Sequence, residues 1–303
     1  MPGSERPIVI GLGELLWDCF GDSRRPGGAP ANVAFQAGQL GCRGVVCTRV
    51  GGDESGDALC GFLSEQGLET DYVQRDAGHA TGTVTVETSA TGQPTYTIHE
   101  DVAWDFMEFT PELETLMGNA DAVCFGTLAQ RCEKSRHAIH TCLAAASEEC
   151  LIVYDVNLRQ DWYERAWIER SLAVANIVKL NDEEVEVVGP LLTGERLSSR
   201  AFAEHLLERF ALELVCITRG EEGCSLWTGA ESVDLPGVAV RVEDTVGAGD
   251  AFTAALITGL LRGWPPAVCG EFANRVGALV ASRSGAMPLL GTAIDALFAE
   301  FER

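Results

Sequence analysis

From residue 122 onward the sequence keeps one rhythm: a short apolar run, a break, then a longer segment with helical spacing. The runs are Ala122–Phe125, Leu151–Val156, Ile177–Leu180 and Leu214–Thr218. Glu133–Ala146, Asp161–Val174, a segment opening at Asp182–Val188, and Ser198–Phe210 carry the helical pattern. Strands that are apolar on both faces need helices on both sides. The alternation therefore predicts an α/β fold with a central, mainly parallel sheet flanked by helices. Val246–Leu261 adds a glycine-rich turn and a helix, and Ala267–Ser282 and Thr292–Phe301 two more helices. The N-terminal third has the same texture. Ile8–Ile10 runs into the turn at Gly11, and Leu15–Phe20 is a short strand. Gly27–Pro30 is a tight turn, Ala31–Leu40 a helix ended by Gly41, Val45–Val50 a strand and Ser55–Gln66 a helix.

One segment breaks the pattern. Thr83–Thr88 alternates polar and apolar residues, Ser89–Gln93 turns, and Thr95–His99 alternates again. That is a two-stranded hairpin over Gly82–His99 with one polar face. It does not suit the interior of a parallel sheet and is expected as a cover. With no repeat or low-complexity linker, the chain reads as one domain, 1–303, with a small β-lid from roughly 14–21 and 82–100.

Charge narrows the partners. Twenty-two Lys and Arg against 45 Asp and Glu leave a formal net charge of −23. Such a surface argues against general nucleic-acid binding and against docking on anionic membrane. It leaves room for a small phosphorylated ligand held by backbone N–H groups or one local cation. Only Lys134 and Lys179 are lysines, and neither lies in a P-loop string. Gly11-Leu12-Gly13 lacks the third glycine of a dinucleotide fingerprint. Eleven cysteines, an odd number with no CxxC pair, sit largely in apolar runs and read as buried reduced thiols. With no signal-like start in MPGSERPIVIG, a cytoplasmic protein is expected.

The chemistry concentrates in Asp244-Thr245-Val246-Gly247-Ala248-Gly249-Asp250, followed by an apolar helix. The small residues let the backbone turn sharply at a helix N-terminus and aim N–H groups of Gly247, Ala248 and Gly249 at one point. The helix dipole adds to that field. This is an anion hole for charge developing on a phosphoryl group. Asp250 is placed to take a proton from a hydroxyl. The plainer alternative is an N-cap Asp worth about 1 kcal/mol. Near the N-terminus stands Pro26-Gly27-Gly28-Ala29-Pro30-Ala31-Asn32-Val33-Ala34. Its double glycine admits a ligand against bare backbone, and Asn32 offers an amide. Asp155, Asn157 and Arg159 alternate along a strand end and are expected to project together where open α/β sheets bind ligands.

These strings resemble the signatures of the ribokinase-like, or PfkB, carbohydrate kinases. DTVGAGDAF looks like that family's C-terminal signature and GGAPANVA like its N-terminal one. Gly13-Glu14-Leu15-Leu16-Trp17-Asp18 and Asp155-Val156-Asn157-Leu158-Arg159 resemble segments of fructokinases, with Val156 where proline is usual. The resemblance implies a ribokinase-like fold and phosphoryl transfer from ATP to a sugar. Asp250 is then the base, and Asp18, Gly28, Asn32 and Arg159 the sugar contacts. For nucleotide it implies Asn181, Thr218, Gly220, Gly223, Gly249 and Asn274. Thr218-Arg219-Gly220-Glu221-Glu222-Gly223 matches a TxGxxG loop, and Asn181-Asp182-Glu183-Glu184 an NxxE motif in which Glu184 positions Mg²⁺ through water. It also implies a monovalent cation, K⁺, held chiefly by carbonyls of Asp244, Val246, Val280, Arg283 and Gly285, and lids paired in a homodimer. Val50-Gly51-Gly52-Asp53-Glu54-Ser55-Gly56 resembles the family's VGxDxxG turn, and a plain strand–turn–helix corner accounts for it.

Fructose is the expected sugar. A 2-keto-3-deoxygluconate kinase is the nearest competitor, followed by ribokinase or a nucleoside kinase. A nucleoside needs a flat aromatic slot, for which only Trp17, Phe35 and Trp104 are at hand. A non-catalytic sugar-binding paralogue is disfavoured because both Asp250 and the glycine turn are intact. His137 and His140, near Cys132 and Cys142, are spaced for zinc on a helix, but no other motif supports that, and an ordinary exposed helix is expected.

Overall fold

The computed structural model describes residues 6–88 and 94–301. In chain order the strands are β1 (Ile8–Leu12), β2 (Leu16–Phe20), β3 (Ser23–Gly27), β4 (Arg43–Gly51), β5 (Val73–Asp76), β6 (Gly82–Thr88) and β7 (Pro94–Ile98). They continue with β8 (Ala122–Phe125), β9 (Leu151–Asp155), β10 (Ile177–Asn181), β11 (Leu214–Thr218), β12 (Cys224–Trp227) and β13 (Ser232–Leu235). The helices are α1 (Ala29–Gln39), α2 (Glu54–Glu65), α3 (Pro111–Met117), α4 (Glu133–Ala145) and α5 (Arg165–Leu172). After them come α6 (Asp182–Thr193), α7 (Ser199–Phe210), α8 (Ala248–Leu261), α9 (Pro266–Ala281) and α10 (Thr292–Phe301).

Nine strands form the large sheet in the order β13-β12-β11-β10-β9-β8-β1-β4-β5. The pairs from β11 through to β5 are parallel, and β12 and β13 add an antiparallel edge. Alternate residues of each strand feed two cores. Ile10, Phe125, Tyr154, Val178 and Ile217 point into one, under α4, α6 and α7. Val9, Cys124, Val153, Ile177 and Cys216 point into the other, under α1, α8 and α9. Eight of the eleven cysteines are buried and all are free, as small apolar side chains would be.

The lid is a separate four-stranded sheet, β3-β2-β6-β7. Val84, Val86 and Ile98 turn one face into the first core, while Thr97 on the other face is exposed. The expected turn at Ser89–Gln93 lies outside the described residues. The fourth strand, β3, goes beyond the expected lid segments; its sequence SRRPG has no strand signal, and pairing with β2 alone creates it. The start of the lid is pinned by Asp53. Its carboxylate caps α2 through the Gly56 N–H (2.7 Å) and accepts both the N–H (2.8 Å) and the hydroxyl (2.6 Å) of Thr81. The VGGDESG string is thus a strand–turn–helix corner, as expected, that also anchors the lid.

Helix α1 begins at Ala29, two residues earlier than the spacing alone indicates, because Pro30 fits a helix's first turn. It lies hard against β1: a Cβ on Gly11 would collide with the Pro30 carbonyl. That approach carries Asn32 to the carboxyl end of the sheet. Helix α5 is shorter than expected, since the chain from Asp161 to Glu164 stays irregular.

Candidate active site

Two helix N-termini meet above the ends of β1, β9 and β10. α1 brings Asn32, and α8 brings Asp250 from 218 positions further along the chain. The Asn32 amide donates to Asp250 Oδ2 at 2.7 Å. At the mouth of α8, Gly247 has φ of 78°, a left-handed conformation that suits glycine. The N–H groups of Gly247, Gly249 and Asp250 meet no acceptor among the described residues. The Ala248 N–H was expected in the same set; it donates instead to the Thr245 carbonyl (3.2 Å), closing the turn. Three free donors at a helix start form a fitting cradle for phosphate oxygens.

Of the residues expected to contact sugar, Asp18 and Asp250 both lie within the field of Arg159. Gly28 has φ of 121°, and a Cβ there would strike the Glu14 carbonyl, so the backbone at that point is bare by necessity. Asp18 faces Arg25 across the β2–β3 pair. Burial raises the Asp18 carboxyl above its usual range, and Arg159 partly offsets the rise. Asp250 is raised in the same way, first by desolvation and then by Asp155; the Asn32 hydrogen bond, Lys179 and Arg159 pull it down. Arg159 is exposed, and its guanidinium donates to the Leu158 carbonyl (3.0 Å). The expected row of Asp155, Asn157 and Arg159 does not form. The strand ends at Asp155, Asn157 takes φ of 40°, and Asp155 turns into the interior.

On the nucleotide side, Asn181 and Thr218 sit in register at adjacent strand ends. Asn181 and Glu184 form a reciprocal cap on α6. Glu184 accepts the N–H groups of Asn181 and Leu158, both at 2.8 Å, and burial raises its carboxyl despite Lys179. With one backbone N–H on each oxygen, Glu184 is suited to hold hydrated Mg²⁺ through water. No group of three or more acidic, His or Cys side chains among the described residues is placed to hold a metal directly. Gly223 has a structural reason to be glycine, since a Cβ would meet Leu235 and Gly237. Gly220 is exposed, and the Asn274 amide donates to the Pro236 carbonyl (3.2 Å). For the monovalent cation, Glu243 and Asp244 both donate N–H groups to the Ala281 carbonyl (2.9 and 3.2 Å). Asp244 also accepts the N–H of Val246 (3.0 Å) and of Gly285 (3.1 Å) and pairs with Arg25 (3.2 Å). The two segments expected to hold K⁺ are therefore neighbours, but the Val280 carbonyl, one of the expected ligands, already accepts the N–H of Arg283 (2.9 Å).

The helix that carries the histidines is not the exposed one expected, because Ile139, His140, Cys142 and Leu143 pack inward. His140 is buried against Gln130 Oε1 (3.1 Å), and burial lowers it to about 4, while His137 is exposed. Two site residues were missed. Lys179 is a buried lysine in an apolar strand, paired with Asp155 at 3.1 Å; its oddity in Ile177-Val178-Lys179-Leu180 was the available signal. Glu14 is 4% exposed, has one oxygen without a partner, and is raised by burial to about 7, with Arg159 opposing and Asp250 adding to the rise.

Comparison with known proteins places this geometry. The model of the pfkB family of carbohydrate kinases matches residues 10–292, so the chain belongs to that family and is a sugar phosphotransferase. An uncharacterized sugar kinase of Pyrococcus horikoshii is 32% identical, with 92% of this chain and 91% of the other aligned. Fructokinase-2 of Solanum lycopersicum is 29% identical over 97% of this chain and 96% of its own. The Vibrio cholerae fructokinase, solved with fructose, ADP and calcium, superposes with a TM-score of 0.80 at 25% identity, covering 97% of this chain and 99% of that one.

Glu14 gives a prediction with a definite sign. Its folded value of about 7 lies above the ordinary 4.5, so its contribution to stability is full below pH 4.5 and is lost as pH rises through 7. Glu14→Gln removes that loss. Between pH 4.5 and pH 8, urea unfolding should shift by about 3 kcal/mol in the variant's favour relative to wild type. A difference that stays constant with pH would refute the assignment.

Proposed function

We propose that this sugar kinase uses ATP with Mg²⁺ and phosphorylates a ketohexose, fructose first among them. The observation that carries the reading is the 2.7 Å bond from Asn32 to Asp250, which seats a sugar-contacting amide on the candidate base beside three free N–H donors. In the proposed step Asp250 takes the proton of a sugar hydroxyl while that oxygen bonds to the γ-phosphorus. The bond from phosphorus to the β,γ-bridging oxygen breaks, and ADP leaves with the electron pair. The N–H groups of Gly247, Gly249 and Asp250 face the charge that spreads over the transferring group. Mg²⁺, when bound with the nucleotide, neutralises phosphate charge beside Glu184. Asp18, Gly28, Asn32 and Arg159 orient the sugar, which converts the reaction into a nearly unimolecular one. Asn181, Thr218, Gly220 and Asn274 face the nucleotide, and the lid excludes water.

Three features support a sugar over a nucleoside. Trp104 is fully buried with Arg131 stacked 4.0 Å from its ring centroid. Trp17 is buried and spends its indole N–H on the Ser55 carbonyl (3.0 Å). Phe35 is also in the core. None of these aromatics remains to stack a base. Relatives named fructokinase favour fructose. Arg159, whose guanidinium donates only to the Leu158 carbonyl among the described residues, supports a keto-acid sugar as the second reading, because a carboxylate suits a guanidinium best.

Asp250→Asn should cut kcat by about 10²-fold or more while sugar binding, followed by calorimetry, stays near wild type. Turnover close to wild type would remove Asp250 as the base. In a second experiment kcat/KM is compared for fructose, 2-keto-3-deoxygluconate, ribose and adenosine, each in K⁺ and in tetramethylammonium at equal ionic strength. Fructose should lead, and K⁺ should raise its rate. A lead for the keto acid moves the substrate, a lead for adenosine ends the sugar assignment, and equal rates in both cations end the K⁺ site. We further propose that the lids pair in a homodimer, with Phe20 and Tyr96 exposed on lid strands for that contact. Sedimentation should give a dimer at assay concentration, and a strict monomer would refute the pairing.

A further inference from the structure

We propose that Lys179, locked by Asp155, is a positioning residue for phosphoryl transfer: it braces the anion-binding turn from beneath and keeps Asp250 ionised for its work as base. The inference rests on the reading of Asp250 given above. Lys179 stands in the middle of the sheet at 6% exposure, between the fully apolar Val178 and Leu180. Withdrawing an ammonium and a carboxylate from water costs several kcal/mol each, and a well-packed apolar pair would hold the strands as well. The fold alone gives no reason for the pair to be here.

Its placement does. Lys179 Nζ lies 3.1 Å from both oxygens of Asp155. Asp155 Oδ2 also accepts the Thr253 hydroxyl at 2.7 Å, and that hydroxyl lies 3.0 Å from the Gly249 carbonyl. A Cβ built on Gly249 would sit 3.4 Å from Lys179 Nζ, so the ammonium packs directly under the turn that offers its N–H groups to phosphate. Lys179, Asp155, Thr253 and Gly249 thus form a closed chain of contacts tying β9 and β10 to the first turn of α8. The same two charges act on Asp250 with opposite signs. Asp155 pushes its carboxyl toward the protonated form, and Lys179 pulls it back. The other charged groups facing this carboxyl are Arg159, which favours ionisation, and Glu14, whose own carboxyl is raised by Asp250. A base must be ionised to accept a proton, and burial already works against that.

The test is the acidic limb of the kcat/KM profile for sugar, taken at saturating MgATP in wild type, Lys179→Met, Asp155→Asn and Asp250→Asn, with melting curves on each. Lys179→Met should move the limb about one pH unit upward, and Asp155→Asn should move it downward. A brace without electrostatic effect would lower kcat and leave both limbs where they are, which overturns the proposal. Should Lys179→Met fail to fold, Asp155→Asn decides alone: it keeps the side chain's shape, and an unmoved or upward-moved limb refutes the idea. Asp250→Asn separates the two levels. If it turns over normally, the base reading falls and this inference with it. If it is inactive while the other limbs stay fixed, only the role of Lys179 falls.

Discussion

The hydrogen bond between Asn32 and Asp250 organises the site, because it closes the gap between the two ends of the chain. Each partner is the product of a separate packing constraint. Asn32 is delivered by the seating of α1 on β1, where glycine at position 11 is the condition for contact. Asp250 is delivered by α8, whose residues Ala251, Ala254 and Ala255 are fully buried against the same face of the sheet. Small side chains on α8 and α9, such as Gly277 facing the Ala248 carbonyl, let those helices approach closely. A shift of either helix would lengthen the bond.

The electrostatics of the site run against those of the molecule. A chain with a formal charge of −23 must accept a polyanion at one point. Long-range fields hinder that approach, so the attraction has to be local and fixed. Backbone N–H groups at a helix start supply part of it without adding mobile charge. In the proposed reading Lys179 and Arg159 are the cations at hand, against the acidic groups of Glu14, Asp18, Asp155, Glu184 and Asp250. Glu14, raised by burial to about 7, carries only part of its charge near neutral pH, which eases the repulsion in the pocket.

Most of the large sheet was legible in the sequence, since Ala122–Phe125, Leu151–Val156, Ile177–Leu180 and Leu214–Thr218 are apolar in a way only a covered sheet permits. The strands that were missed owe their existence to partners. Ser23–Gly27 is charged and carries a proline, and Cys224–Trp227 and Ser232–Leu235 are short strands, the first held by β11 and the second by β12. In the site, the residues that were legible are those with a motif: the glycine turn, Asp250 and Asn32. Glu14 and Lys179 were not, because their meaning lies in burial and in neighbours far away in the chain. The inward turn of Asp155 was likewise hidden, since alternation assumes the strand continues and a left-handed Asn157 ends it.

The sharing of one sheet by two cores also fixes how the chain comes apart. Val9 and Ile10, or Cys216 and Ile217, are adjacent residues committed to opposite faces. Stripping the helices from one face would leave the strands half-solvated and the other face unsupported, so neither half has a stable existence of its own. Loss of structure in the large sheet is then expected to take both cores together. Any molecule that settles at the carboxyl end of these strands lends its binding free energy to that whole event, as RT ln(1 + [L]/Kd). The melting temperature of the entire chain thereby becomes a gauge of occupancy at a pocket that only a few residues line, even for a compound the enzyme never turns over.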